Sequence, residues 1–332
     1  MIRYLIAMIT VFSLIIGVTW YWVVMHPMAF LDQEYPIWKV KGDMVDRCEV
    51  GNLTVLGDSK AVASIAPNKI GPNTVNLAVG GGTTIDLLAI TQRILLCKDL
   101  PKAVVLSMSL DNLNVNNSFW PRDVRFNVFR LSANDLNDFR KRARRYGDID
   151  IFGAPTPFDI DAKLKIYIYL LKFPSIFFGA LIGGRVIERE GINLQFYAET
   201  LHEKGQHQYG VENGNDTPDP VADLKSFSPP ALQLTLLDDV LKLYMSHNIP
   251  VYFISPPYKE SSIKSLKPAV RSDLKKFLQE YEKRYPNFHV IGELLPTLPN
   301  EDFGDYAHVN AKGTLLWSKL IAALLIEKRI VH

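Results

Sequence analysis

Residues 53–60 of this chain read Leu-Thr-Val-Leu-Gly-Asp-Ser-Lys. The apolar run 53–56 is typical of a buried strand, and the residues from Lys60 onward predict a helix. Ser59 would therefore follow the carboxyl end of a strand and precede a helix. Open α/β sheets bind their ligands at this position, and the backbone N–H groups at a helix start favour a negatively charged oxygen. We therefore expect Ser59 to lie in a functional site.

Strand-like and helical patterns alternate over much of the chain. Further apolar runs lie at 74–78, 103–106, 251–254 and 288–291. Helical spacing of apolar residues predicts helices at 83–96, 231–247, 271–284 and 311–328, with Ser272 and Asn310 as caps. Such alternation is typical of an α/β domain with a mostly parallel sheet.

The alternation stops between residues 113 and 230, which form an insertion between the third and fourth predicted strands. Residues 132–147 predict a capped, solvated helix; contact of its basic end with anionic lipid or polymer is the alternative. Residues 166–184 are apolar but contain Lys172 and Pro174, which favours helices packed on the domain or on a membrane surface over a second span. Residues 205–219 predict an exposed loop. We expect the insertion to shape substrate access.

The amino-terminal segment 4–25 carries no charged residue. At about 1.5 Å per helical residue, it is long enough to cross a hydrocarbon core of roughly 30 Å. Arg3 precedes it and acidic residues follow it, which favours a cytoplasmic amino terminus and a domain on the periplasmic, extracytoplasmic side. A cleaved signal peptide is the alternative, but the segment is long for one and no Ala-x-Ala site follows it. The predicted organisation is a tip at 1–3, an anchor at 4–25, a linker at 26–50 and a catalytic domain at 51–332.

Charge and cysteine content give weaker indications. The 37 basic and 35 acidic residues nearly balance, so nothing indicates a nucleic-acid partner. Cys48 and Cys97 are the only cysteines, and both fall near the amino ends of predicted strands, opposite the predicted site. An exported domain would permit a disulfide between them, and two free thiols are the alternative.

A second motif lies near the carboxyl terminus, where residues 305–310 read Asp-Tyr-Ala-His-Val-Asn. Asp305 and His308 are three residues apart, so a tight turn can place them on one side. A serine hydroxyl becomes a nucleophile when an imidazole takes its proton and a carboxylate holds that imidazole in place. The sequence therefore predicts acyl-transfer chemistry, with Ser59 as nucleophile, His308 as general base and acid, and Asp305 orienting His308.

These two motifs resemble those of the SGNH, or GDSL-type, hydrolase superfamily, and the resemblance covers most of residues 51–325 apart from the insertion. Residues 55–59 resemble its first block, in which the N–H of the serine, here Ser59, joins the oxyanion hole. Residues 305–310 with Gly313 resemble its last block, Asp-x-x-His-Leu-Asn-x-x-Gly, with Val309 in place of Leu. The resemblance implies a flavodoxin-like, three-layer α/β/α domain.

Two further blocks of the family supply oxyanion donors. Residues 76–84, Asn-Leu-Ala-Val-Gly-Gly-Gly-Thr-Thr, resemble the second block; Gly81 matches its N–H donor best, with Gly80 and Gly82 as rivals. The third block usually reads Gly-x-Asn-Asp, whereas residues 109–112 read Ser-Leu-Asp-Asn. The resemblance assigns the third donor to Asn112, with Asn114 as the alternative.

The anchor and the insertion further resemble membrane-anchored SGNH-like proteins of bacterial envelopes, which add or remove acyl groups on exported polysaccharides, often beside a membrane-bound O-acyltransferase. This implies an O-acyl, in particular O-acetyl, transferase or an esterase on such a polysaccharide. An envelope carboxylesterase or lipase acting on small or lipid esters, and a non-catalytic carbohydrate-binding or assembly protein, are the alternatives.

No metal and no cofactor are expected. The five-residue spacing of His202 and His207 differs from that of the His-Glu-x-x-His zinc helix, so a surface loop is the favoured interpretation. The sequence also lacks the Gly-x-Ser-x-Gly elbow, the phosphate-binding loop and the dinucleotide fingerprint.

Overall fold

A computed structural model of the chain describes residues 2–31, 33–114, 133–147, 179, 181–183 and 186–331. Its centre is a five-stranded parallel sheet in the order β2-β1-β3-β4-β6. The strands are β1 (Leu53–Gly57), β2 (Thr74–Asn76), β3 (Ala103–Ser107), β4 (Val251–Phe253) and β6 (Phe288–Val290), and a second parallel pair joins β5 (Tyr258–Lys259) to β7 (Thr297–Leu298). The predicted α/β class with a mostly parallel sheet is confirmed.

Helices connect the strands and extend the chain at both ends. The α-helices are α1 (Ile2–Met25), α2 (Pro27–Phe30), α3 (Glu34–Asp46), α4 (Ser59–Ser64), α5 (Thr84–Ile94), α6 (Leu110–Asn114), α7 (Ala133–Arg145), α8 (Val186–His202), α9 (Ala231–Ser246), α10 (Glu260–Ser265), α11 (Pro268–Arg284) and α12 (Ala311–Glu327). Short 3-10 helices lie at Pro67–Lys69, Pro220–Asp223 and Asn300–Asp302.

Helices cover both faces of the sheet. Val104 of β3 belongs to an apolar cluster that includes α5, α9 and α11, whereas Val105 packs with residues of α4 and α12. Because successive side chains of a strand point to opposite faces, both sides of the sheet are buried. This is why the strands are continuous apolar runs in the sequence.

The helix starts differ in how well the sequence predicted them. Asn310 caps α12 as expected, because its side-chain oxygen accepts a hydrogen bond from the Gly313 N–H at 3.1 Å. The expected cap at Ser272 is wrong, since α11 begins at Pro268 and contains Ser272. Proline fixes a helical φ and has no N–H to satisfy, so it suits a first helical position.

The apolar helix α1 is long enough to cross a membrane, and its most apolar window, within Ile2–Val23, is not buried against the described part of the protein. The carboxyl-terminal end of α1 contacts the described remainder of the chain. There, Val23 forms an apolar cluster with Phe30 and Val186. The base of α1 is thereby held against the start of α8.

Residues 26–50, predicted as a linker, contain α2 and α3 and are part of the packed domain. Trp38 and Met44 of α3 lie in the main core. The side-chain amide of Asn193 in α8 donates to the carbonyl groups of Met28 at 2.7 Å and Leu31 at 3.1 Å. Packing and hydrogen bonds thus fix the segment that follows α1.

The insertion contributes the α-helices α7 and α8 and the 3-10 helix Pro220–Asp223 to the described residues. The predicted helix 132–147 is observed as α7, and α8 was not predicted. The apolar segment 166–184 lies mostly outside the described residues. Cys48, after α3, and Cys97, after α5, form a disulfide with their Cα atoms 5.6 Å apart.

Candidate active site

Ser59 is the first residue of α4, directly after β1. Gly57 has φ of +157°, and a side chain there would overlap the carbonyl group of Ser107 on β3. Asp58 caps α4 by accepting a hydrogen bond from the Lys60 N–H at 3.0 Å. Ser59 therefore lies at the carboxyl edge of the sheet. Its N–H is the first of the helix and has no acceptor within α4.

His308 lies on a short loop that its own backbone closes. An antiparallel bridge joins Phe303 to Val309, and the Gly304 N–H donates to the His308 carbonyl at 2.9 Å. Asp305 accepts hydrogen bonds through Oδ1 from the N–H groups of Ala307 at 2.7 Å and His308 at 2.6 Å. Residues 305–308 therefore form a turn in which the aspartate side chain takes the place of a backbone acceptor.

The structure brings Ser59, His308 and Asp305 together. The distance from His308 Nε2 to Ser59 Oγ is 2.8 Å, and that from His308 Nδ1 to Asp305 Oδ2 is also 2.8 Å. An ionised carboxylate only accepts hydrogen bonds, so Nδ1 carries the proton in this contact. In the neutral ring Nε2 is then unprotonated and accepts the serine hydroxyl, as proton removal from Ser59 requires.

The surroundings of Asp305 keep it ionised. Burial alone would raise the pKa of this carboxyl group, but the hydrogen bonds from His308 and from two backbone amides outweigh that effect and lower the pKa below its usual range. A carboxylate with a lowered pKa stays negative at neutral pH and stabilises a protonated His308.

The glycine loop after β2 distinguishes between the three oxyanion candidates. The Gly82 N–H donates to the Val79 carbonyl at 2.8 Å, so this group is already used. Gly81 has φ of +60°, a conformation that favours glycine, and Gly80 accepts a hydrogen bond from the Trp38 indole at 3.3 Å through its carbonyl. Gly82 is therefore the weakest of the three candidates, and Gly81 keeps the assignment that the family resemblance gives it.

The two asparagine candidates occupy different environments. The Asn112 amide donates to Asp58 Oδ2 at 2.8 Å, and Ser109 binds the same oxygen through its N–H at 2.7 Å and its hydroxyl at 2.6 Å. An amide nitrogen carries two hydrogens, so Asn112 keeps one for another acceptor. Asn114 instead contacts the loop at 226–228 through both of its side-chain atoms. The structure thus places Asn112, and not Asn114, beside the residue that precedes Ser59.

Sequence reasoning missed two residues next to the triad. The ring of Tyr209 lies against the His308 imidazole with centroids 4.8 Å apart, and its hydroxyl donates to Glu34 at 3.2 Å. A side chain on Gly80 would collide with both the Glu34 carboxylate and the Tyr209 hydroxyl. Both residues lie far from the triad motifs in the sequence, within the predicted linker and loop, and no local pattern marks them.

A buried ion pair lies directly behind Ser59. Lys60 is 4% exposed and pairs with the fully buried Asp219, while its ammonium group lies 4.4 Å from the centre of the Tyr258 ring. Burial lowers the pKa of Lys60, but the nearby carboxylates of Asp219, Asp111 and Asp58 outweigh it and raise the pKa. Lys60, the residue after Ser59, therefore stays positively charged although it is buried.

His202 and His207 do not form a common site. His202 ends α8 with an exposed ring, whereas His207 is 8% exposed and its ring lies between those of Phe196 and Tyr209. The expectation of a surface loop is therefore wrong for His207. Within the described ranges, no cluster of three or more His, Cys, Asp or Glu side chains could hold a metal ion.

Comparisons with known protein families and with curated protein sequences give no match to this chain.

Proposed function

We propose that this chain is a membrane-anchored, SGNH-type serine enzyme that transfers or removes O-acyl groups, in particular O-acetyl groups, on an exported cell-envelope polysaccharide. The observation that carries the proposal is the continuous set of contacts from Ser59 through His308 to Asp305, with both distances at 2.8 Å. This geometry matches the requirement that nucleophile and base lie within hydrogen-bonding reach and that a third group orients the base.

In the first half-reaction, the Ser59 oxygen attacks the carbonyl carbon of an ester and its proton passes to His308 Nε2. The carbonyl π-electrons move onto oxygen, and Asp305 stabilises the imidazolium through Nδ1–H. When the tetrahedral intermediate collapses, the bond to the leaving alkoxide breaks and His308 returns the proton to that oxygen. The products are an acyl-Ser59 ester and an alcohol.

In the second half-reaction, water or a sugar hydroxyl attacks the acyl-Ser59 carbonyl. His308 takes the proton of the attacking group and then gives it to Ser59 Oγ as the acyl–serine bond breaks. Water gives a free acid and a glycan hydroxyl gives a new ester, so the two reactions differ only in the acceptor that reaches the acyl-enzyme.

The proposed oxyanion hole consists of the N–H groups of Ser59 and Gly81 and the second amide hydrogen of Asn112. The position of Ser59 at the start of α4, the positive φ of Gly81 and the contact of Asn112 with Asp58 support this set. Loss of one such donor typically costs about 10²–10³ in rate.

The architecture is consistent with the same proposal. The strand order β2-β1-β3-β4-β6 has the pattern of the flavodoxin-like order, and helices on both faces support a three-layer domain. The packing of Val23 on Phe30 supports an uncleaved α1, because cleavage after the apolar run would remove Val23 from that cluster. The Cys48–Cys97 disulfide supports an oxidising, extracytoplasmic location.

Covalent labelling tests the chemistry. We would treat the full chain in detergent with a fluorophosphonate and measure its intact mass, beside Ser59→Ala and His308→Ala variants. One adduct that maps to Ser59 and is lost in both variants supports an activated serine. A folded protein that gains no adduct contradicts the catalytic proposal and favours a binding role.

A reporter fusion tests the topology. A reporter that is active only outside the cytoplasm, joined after His332, should give signal in cells if α1 is an anchor with a cytoplasmic amino terminus. Signal only from a cytoplasm-active reporter at the same position would contradict the proposed orientation.

A further inference from the structure

A cavity of about 630 Å³ lies beside the triad, between the start of α3, the end of α8 and the segment that follows α8. Tyr209 is the link, since it lines this cavity and its ring lies 4.8 Å from that of His308. Glu34 also lines the cavity, accepts a hydrogen bond from Tyr209 and lies against the oxyanion loop at Gly80. The cavity is therefore connected to His308 through the Tyr209 ring and to the loop of the proposed oxyanion hole through Glu34, while no residue of the triad lines it.

The cavity wall combines flat aromatic rings with hydrogen-bonding groups. Phe196 and Tyr209 supply the rings. Amide and carboxylate side chains supply donors and acceptors: Gln33, Gln206, Gln208, Glu34, Glu199 and Glu203. Sugars present apolar C–H faces and many hydroxyl groups, so rings beside amides and carboxylates are complementary to them. A sugar can use the remaining hydrogen-bonding capacity of these groups, which an acyl chain cannot.

Acidic side chains dominate the charge of the cavity wall. Three of the residues are glutamates, and no lysine or arginine lines the cavity in the part of the chain that the structure describes. Burial and the nearby Lys41 lower the pKa of the His207 ring to about 4, so this ring is neutral there. Carboxylates repel an anionic ligand and tolerate a neutral or cationic one, which is a basis for selecting against acidic partners.

We infer that this cavity binds the glycan part of the substrate and selects a saccharide without acidic groups, either neutral or amine-bearing. The inference rests on the proposed acyl-transfer function, because the cavity would hold sugar units that neighbour the one whose hydroxyl or ester reaches His308. The volume of the cavity lies within the range of about 300–1,000 Å³ that is common for ligand sites.

Binding experiments with the full chain test the inference separately from catalysis. We would use the Ser59→Ala chain in a sugar-free detergent, so that no turnover occurs, and measure calorimetric affinities for three hexasaccharides: a neutral β-glucan, a chitosan with free amines and an oligomannuronate. The neutral or the amine-bearing oligomer should bind at least about tenfold more tightly than the mannuronate. Phe196→Ala should weaken binding of the preferred oligomer by about tenfold through loss of ring contact.

A charge reversal provides a gain of binding that a folding defect cannot mimic. Glu199 is exposed on the rim, and Glu199→Lys should improve mannuronate binding by roughly threefold to fivefold and weaken chitosan binding. The matched control Glu293→Lys changes an exposed glutamate that does not line the cavity and should leave all three affinities unchanged.

Several results would overturn the inference: mannuronate binding as tight as that of the other oligomers, no binding of any of them, or unchanged affinities in both cavity variants. Fluorophosphonate labelling of the wild-type chain tests the proposed function separately. Labelled Ser59 without the expected glycan preference would defeat only the cavity assignment. The expected preference without labelling would support the cavity and defeat the acyl-transfer proposal.

Discussion

The carboxylate of Asp58 accepts a hydrogen bond from the side-chain amide of Asn112 at 2.8 Å. This contact joins the loop after β1 to the loop after β3, since Asp58 directly precedes Ser59. The same oxygen also accepts two hydrogen bonds from Ser109, through its N–H and its hydroxyl. Residues 109–112 are thus fixed to the serine motif by three hydrogen bonds to one carboxylate oxygen.

Asn112 is expected to matter more for reactivity than its neighbour Asn114. Asn112→Ala should lower the second-order rate of fluorophosphonate labelling by about 10²-fold, because it removes both a proposed oxyanion donor and an anchor of the loop. Asn114→Ala is the matched control. It removes contacts with the loop at 226–228 and should change the labelling rate by less than about threefold. That change is smaller than the rate loss expected when an oxyanion donor is removed. Equal effects of the two substitutions would contradict the assignment of Asn112.

Gly57 is expected to tolerate no side chain. A Cβ atom there would overlap the Ser107 carbonyl of the neighbouring strand, and the positive φ adds strain. Gly57→Ala should therefore lower the free energy of unfolding by roughly 3 kcal/mol, or prevent folding, as measured by urea titration in detergent. Gly71→Ala is the control, because its added Cβ would make only an ordinary contact at 3.5 Å with Thr74. A Gly57→Ala protein as stable as the control would refute the packing argument.

The buried pair of Lys60 and Asp219 predicts a strongly non-additive pair of substitutions. Lys60→Met leaves the Asp219 carboxylate buried without its partner and should cost about 3–5 kcal/mol of unfolding free energy. Adding Asp219→Asn should recover much of this loss, because the remaining buried group is then uncharged. A double variant no more stable than Lys60→Met would show that the charge imbalance is not the cause.

An exposed pair serves as the control for that cycle. Lys264 and Glu260 form an ion pair on α10 in which both side chains are more than half exposed. Lys264→Met should change the unfolding free energy by no more than about 1 kcal/mol, because solvent screens exposed pairs.

The sequence predicted the central strands well because β1 and β3 are buried on both faces. Strands such as β3 are continuous apolar runs bounded by polar residues, a signal that needs no knowledge of the tertiary contacts. The motifs around Ser59 and His308 were also detectable locally, because each combines a reactive residue with the turn that presents it. A turn has a short-range signature, so it can be read from a few neighbouring residues.

The remaining parts of the site depend on contacts between distant segments. Glu34 lies in a helix that resembles a linker in composition, and Tyr209 lies in a polar loop. The fold nevertheless places Tyr209 against His308 and Glu34 against Tyr209. Helix α3 was missed because its burial results from packing on α5 and α8. The apolar residues of its own sequence show no helical periodicity that would indicate this packing. Choosing between Asn112 and Asn114 likewise required the position of Asp58.

The buried ring of His207 predicts a loss of stability in mild acid. In the unfolded chain this imidazole binds a proton as the pH falls below about 6.5, but in the folded protein burial and the charge of Lys41 lower its pKa to about 4. Between these values the unfolded state binds more protons, so stability falls as the pH falls, by up to about 3 kcal/mol over the window. Urea titrations at several pH values should show a shallower pH dependence in His207→Gln than in wild type.

His289→Gln, which alters an exposed ring on β6, should retain the wild-type slope. Parallel curves for wild type and His207→Gln would mean that other groups cause any acid sensitivity.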